Sequence, residues 1–140
     1  MCLGFLGKYK EFGLLILRLG IGGMFILHGW PKITGGPAGW EKLGMATTSV
    51  GIHFAPIFFG FMAAIAEFGG GICLILGLFT REACLLLFID MVVASTMHLT
   101  KGDGFIVASH AIEAAILFLS LTFIGPGKYS LDETMMIFKK

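Results

Sequence analysis

A glutamate stands at the midpoint of a twenty-two-residue apolar stretch, IFFGFMAAIAEFGGGICLILGL (57–78), and it is the only charge there. Ionisable groups are expensive inside a membrane and mark functional sites when they occur there. Glu67 has company of the same kind. Arg18 and His28, Asp90 and His98, and His110 and Glu113 fall in or beside three other apolar stretches. Carboxylates and imidazoles exchange protons and hydrogen bonds, and four chemistries use such a set. With aromatic rings they hold a quinone head group and deliver protons to its carbonyls. Within a helical bundle they ligate a metal. Two histidines from different helices ligate a haem. A chain of acids and histidines also relays protons in a transporter. The methionines Met24, Met62, Met91 and Met97 are read as packing rather than copper ligands, and no metal set is assigned. No spacing resembles HExxH, a phosphate loop, a dinucleotide fingerprint or a hydrolase nucleophile.

These residues need helices to carry them. An apolar run of about 20 residues, at about 1.5 Å per residue, matches a hydrocarbon core of about 30 Å. Four runs qualify: 12–30, 57–78, 83–99 and 105–124. Apolar residues run all round each of them, unlike the one-sided pattern of soluble helices. The fold class is therefore all-α, an integral membrane four-helix bundle forming a single domain over 1–140. Trp30 suits a membrane interface and Pro31 a helix end. The connection 32–55 contains GWEKLGMATTSVGIHF, with Trp40, Leu43 and Val50 as anchors, and is expected to form a short interfacial helix after helix 1. Gly60, Ala63, Ala64, Gly70 and Gly71 share the Glu67 face, where small residues let a neighbouring helix come close.

Composition agrees. The 140 residues are 56% hydrophobic and 14% charged, against roughly 25% charged in soluble domains. A net charge of +1 and the absence of a basic run exclude a nucleic-acid partner. Cys2, Cys73 and Cys84 form no CxxC pair or zinc spacing. Cys2 is not preceded by a lipobox and no cleavage site follows, so the first apolar segment is expected to be retained.

Orientation follows from lysine and arginine. Lys8, Lys10, Arg81, Lys128, Lys139 and Lys140 lie on one side of such a bundle, and Lys32, Lys42 and Lys101 on the other. The positive-inside rule places both termini in the cytoplasm. Arg18 then lies in the inner half, with His28 about 15 Å further out. His28, His98 and His110 fall at comparable outer depth, and Glu67, Asp90 and Glu113 near the midplane. His110 and Glu113, three residues apart, share a face, and a carboxylate one turn away fixes an imidazole tautomer. All four helices are expected to contribute to one polar column. Glu67, His110 and Glu113 are the catalytic candidates, and Arg18, His28 and His98 the cofactor-binding ones. The plainer alternatives are that Arg18 pairs or snorkels, that His28 and His98 are wetted at an interface, and that Glu67 only fixes packing. Asp90 is set aside because its helix face is undetermined.

Three segments also carry a family pattern. RLGIGGMFILHGWPK (18–32), AEFGGGICLILGLFTR (66–81) and GPGKYSLD (125–132) resemble, in order, the RLxxGxxFxxHGxxK opening, the AExxGGxxLxLGLxTR helix and turn, and the GPGxxSLD signature of the DoxX family. The resemblance implies a four-helix bacterial inner-membrane protein, related to a small subunit of thiosulfate:quinone oxidoreductase and tied to redox or stress-response assemblies. It supports Arg18, His28, Glu67 and Arg81 on matching positions, whereas His98, His110 and Glu113 rest on the depth argument. The main expectation is a subunit of a redox assembly, not a stand-alone enzyme, whose pocket binds a quinone-like head group. Its expected partners are membrane lipid, other redox subunits and further copies of itself. A non-enzymatic assembly protein, and a small transporter or metal- or haem-binding protein, stay open beside it.

Overall fold

The structure, a computed structural model, describes residues 3–137. Cys2, Lys139 and Lys140 lie outside them. Six helices follow one another: α1 (Lys10–Thr34), α2 (Gly36–Gly44), α3 (Pro56–Leu76), α4 (Thr80–Lys101), α5 (Phe105–Ile124) and α6 (Leu131–Ile137). Short 3-10 helices at Gly4–Tyr9 and Met45–Val50 precede α1 and follow α2. The helices α1, α3, α4 and α5 are each long and apolar enough to cross a membrane.

Stop signals explain the boundaries. Pro56 opens α3, and its missing N–H is one that a first turn leaves unbonded anyway. Gly77, at φ +65°, closes it: the Gly77 and Leu78 N–H groups donate back to the Leu74 and Cys73 carbonyls. Helix α1 departs from expectation, because it runs through Pro31 for another turn. Proline there removes a donor to the preceding turn. Packing carries the helix past it, since Gly29 lies so close to α3 that a Cβ would sit 2.5 Å from the Phe68 nitrogen.

The small residues of α3 do allow close approach, each to a different neighbour. A Cβ on Gly71 would meet the Gly22 carbonyl of α1 at 2.7 Å, one on Gly70 the Leu87 side chain of α4 at 3.0 Å, and one on Gly60 the Trp40 carbonyl of α2 at 1.7 Å. α1 thus covers the second half of α3 and α2 the first. The predicted helix in 32–55 exists as α2, held by Trp40, whose indole N–H donates to the Lys32 carbonyl and whose ring lies 4.6 Å from Phe61. The core joins Leu74, Cys84, Leu87, Met91, Ala115, Phe118 and Leu121, with Leu14, Leu17, Ile21 and Phe25 of α1 packed on it.

Candidate functional site

Two polar regions lie at different levels of the bundle. The first is built by the chain after α5. Arg18, fully buried, donates to the Leu74 carbonyl at 3.4 Å and to the Tyr129 carbonyl. Its guanidinium fits only because residue 77 is glycine: a Cβ there would come within 2.0 Å of Nη1. Asp132 accepts from the Phe79 and Thr80 N–H groups at 2.8 and 2.9 Å, and so caps the start of α4. Arg81 donates to the Thr122 carbonyl at 2.8 Å at the end of α5, and Glu11 accepts from the Lys128 N–H at 2.9 Å. The GPGKYSLD segment is therefore a strap that ties α1, α3 and α4 together.

The second region is a cleft of about 270 Å³ between α2, the Met45–Val50 turn, α3 and α4. Phe59, Met62, Ile65, Leu86, Ile89 and Val93 line most of it. Its polar lining is Lys32, Thr47, Glu67, Asp90 and His98. Lys32 Nζ lies 2.6 Å from Glu67 Oε1, with the Glu67 side chain 4% exposed. Glu67 Oε2 and Asp90 Oδ2 are both buried without a hydrogen-bond partner among the described residues. His98 Nδ1 lies 2.7 Å from Asp103 Oδ2. Glu67 and Asp90 are hydrogen-bonding neighbours, so one proton shared between the two carboxyls satisfies part of this pair, and a ligand that donates would meet the oxygen that remains.

The single polar column is not what the structure contains. Glu67 and His98 share the cleft, but Arg18 does not reach it: its acceptor Leu74 stands seven residues beyond Glu67, about 10 Å along α3. His28 is exposed on α1, its ring centroid 6.3 Å from that of Phe25. His110 and Glu113 are exposed on α5. They share a face as their spacing requires, but it is the outer one. The inward face of α5 is set by Ala108, Ala115, Phe118 and Leu121, and at 3.6 residues per turn His110 and Glu113 fall roughly 140–200° from Ala108. Lys32 is the residue sequence reasoning missed, and Asp90, placed near the midplane of the column, is not among the catalytic or cofactor-binding candidates it selects. Lys32 had a signal, because it closes the RLxxGxxFxxHGxxK pattern; ending helix 1 at Pro31 assigned it to a loop. Among the described residues, no three His, Cys, Asp or Glu side chains converge as a metal-ligand set.

Known proteins agree with this architecture. The DoxX family model matches residues 13–100. An uncharacterized protein of Haemophilus influenzae is 36% identical over 141 residues, covering 96% of this chain and 98% of its own length. Inner membrane protein YqjF of Escherichia coli is 30% identical over 133 residues, covering 91% and 95%. Uncharacterized membrane protein Rv3486 of Mycobacterium tuberculosis is 29% identical over 138 residues, covering 86% and 80%. No solved structure is a significant match. With four apolar helices of crossing length and a similar inner-membrane protein, this is a multi-pass protein of the inner membrane, and it belongs to the DoxX family.

Proposed function

We propose that the chain is the membrane subunit of a redox assembly and that its α2–α3–α4 cleft receives the head group of a quinone-like molecule. The observation that carries this reading is the buried carboxyl pair of Glu67 and Asp90, with Lys32 beside it, in an otherwise mostly apolar cleft. A quinol supplies two O–H donors on an apolar ring, which is the complement of that lining. Lys32 donates to a carbonyl in the oxidised form, and its pairing with Glu67 holds the ammonium at the cleft. If a quinol were bound, Glu67 and Asp90 would be the groups placed to accept its hydroxyl protons, and the quinone would supply the redox chemistry. The catalytic assignment thus keeps Glu67, adds Asp90 and Lys32, and leaves His98 at the cleft with Asp103. Arg18, His28, His110 and Glu113 are assigned elsewhere.

In the same proposal both termini are cytoplasmic. With Lys32 drawn into the bundle, the six basic residues of the terminal side face only Lys42 and Lys101 opposite. The cleft then opens towards the outer leaflet, with α2 and the Met45–Val50 turn near that interface. The strap after α5, bonded to α1, α3 and α4, supports one domain over the whole chain.

The test is quinone content and affinity of the chain purified gently from its native membrane. Retained quinone, and a short-chain quinone that binds at least about tenfold more weakly to Glu67→Gln and Asp90→Asn, is the expected result. The competing reading is an assembly protein whose charges only fix helix packing, and the close Lys32–Glu67 pair favours it. That reading predicts no quinone in the unsubstituted chain, and a Glu67→Gln change confined to stability or partner capture.

A further inference from the structure

The outer face of α5 presents a problem that the cleft does not address. Glu113 is the ninth of twenty residues in a helix long enough to cross the bilayer, and its side chain is exposed outside the bundle. His110, one turn away, is exposed on the same side. A carboxylate near the middle of a span, facing lipid, is among the costliest placements a membrane protein can make. Snorkelling does not relieve it, because a glutamate side chain is too short to reach either interface from mid-span.

The residues around the pair form a seam. Ile106, Ser109, Glu113, Ile116, Ser120 and Phe123 are spaced 3, 4, 3, 4 and 3, the alternation of a two-helix interface. Ile106 is 80%, Ile116 62% and Phe123 77% exposed, and Glu113 and Ser120 are exposed with them. α4 and the Phe25 ring of α1, 4.8 Å from Phe118, take the opposite face of α5. Small and polar residues are the groups that hold helices together in lipid, where apolar burial gives no preference for protein over solvent.

We infer that this seam is the interface of a homodimer in which α5 packs in parallel against α5 of a second copy. Two copies inserted with the same topology are related by a two-fold axis along the membrane normal, which brings each residue of α5 level with itself. The face carries its own complement. On the seam Glu113 meets Glu113 of the other copy, and His110 of each copy, one turn away on the flank, offsets the like charge, so that two carboxyl and two imidazole groups close one hydrogen-bonded set. A second copy satisfies both polar groups at once. Any other partner would have to bring a matching donor and acceptor at the same two depths.

Cysteine cross-linking of the full chain in its native membrane tests this. Ser120→Cys on the seam is compared under mild oxidation with the unsubstituted chain and with Leu85→Cys, an exposed position on α4. The expected result is a dimer band specific to Ser120→Cys. In liposomes, energy transfer between labelled copies is expected to show Glu113→Ala dimerising about tenfold more weakly. Exchanging the pair, His110→Glu with Glu113→His, is expected to restore association. Equal cross-linking at Leu85, a monomeric unsubstituted chain in liposomes, or an adduct with a different polypeptide would each overturn the homodimer. The outcome is independent of whether the cleft binds quinone.

Discussion

The strap and the cleft use charge in opposite ways. At the strap, Arg18, Arg81, Asp132 and Glu11 all address backbone groups, mostly the carbonyls and N–H groups that helix ends leave unbonded. At the cleft, Lys32 meets one oxygen of Glu67, and an oxygen on each of Glu67 and Asp90 has no donor among the described residues. Charge that secures a fold is spent on fixed backbone partners. Both levels keep an unfilled valence, Arg18 Nε and Thr80 Oγ1 at the strap and Glu67 Oε2 and Asp90 Oδ2 at the cleft; what sets the cleft apart is that its unfilled atoms are carboxyl oxygens lining an open volume.

Substitutions separate the two. The largest effect is expected at Arg18→Leu, which takes the side-chain donor from the Tyr129 carbonyl, leaves the Leu74 carbonyl with the Gly77 N–H alone, cuts the tie between α1 and the strap, and costs about 2–3 kcal/mol of stability. Thermal unfolding in detergent measures it, and a loss no greater than that of an exposed control would mean the strap is not holding the bundle. Asp132→Ala removes the cap of α4 and is expected to cost about 1–2 kcal/mol, with quinone affinity unchanged. A matching fall in affinity would join the two regions that the geometry keeps apart. The smallest effect on stability is expected at Asp90→Asn. It replaces a buried carboxylate with a neutral amide of the same shape, so the melting temperature stays level or rises slightly while ligand is lost. A clear drop in melting temperature would make Asp90 a structural residue.

Much of this was legible in the sequence, and the division between what was and was not has a physical cause. Four crossing helices follow from run lengths, because hydrocarbon thickness fixes how many residues are needed. Glu67 stood out as the only charge in its run. Depth along a helix can be counted at about 1.5 Å per residue, which sets His110 and Glu113 one turn apart. Azimuth cannot. In water, the polar face of a helix shows which side points out; in lipid, both the bundle interior and the exterior are apolar, and that signal vanishes. Hence the sequence puts both carboxyls in the column and ranks Glu113, which faces out, above Asp90, which faces the cleft. Lys32 was missed for a different reason. Pro31 weakens a helix locally, and only the Gly29–Phe68 contact, some thirty-nine positions apart in the chain, overrides it.

The contact between Arg18 and Tyr129 spans 111 residues, and it orders events during synthesis. α1 enters the translocation machinery with a guanidinium whose acceptor has yet to be made. Until the strap is made, the Leu74 carbonyl of α3 is the acceptor already in place for that charge. The tie between α1 and the strap thus waits for residue 129, after all four crossing helices have been made.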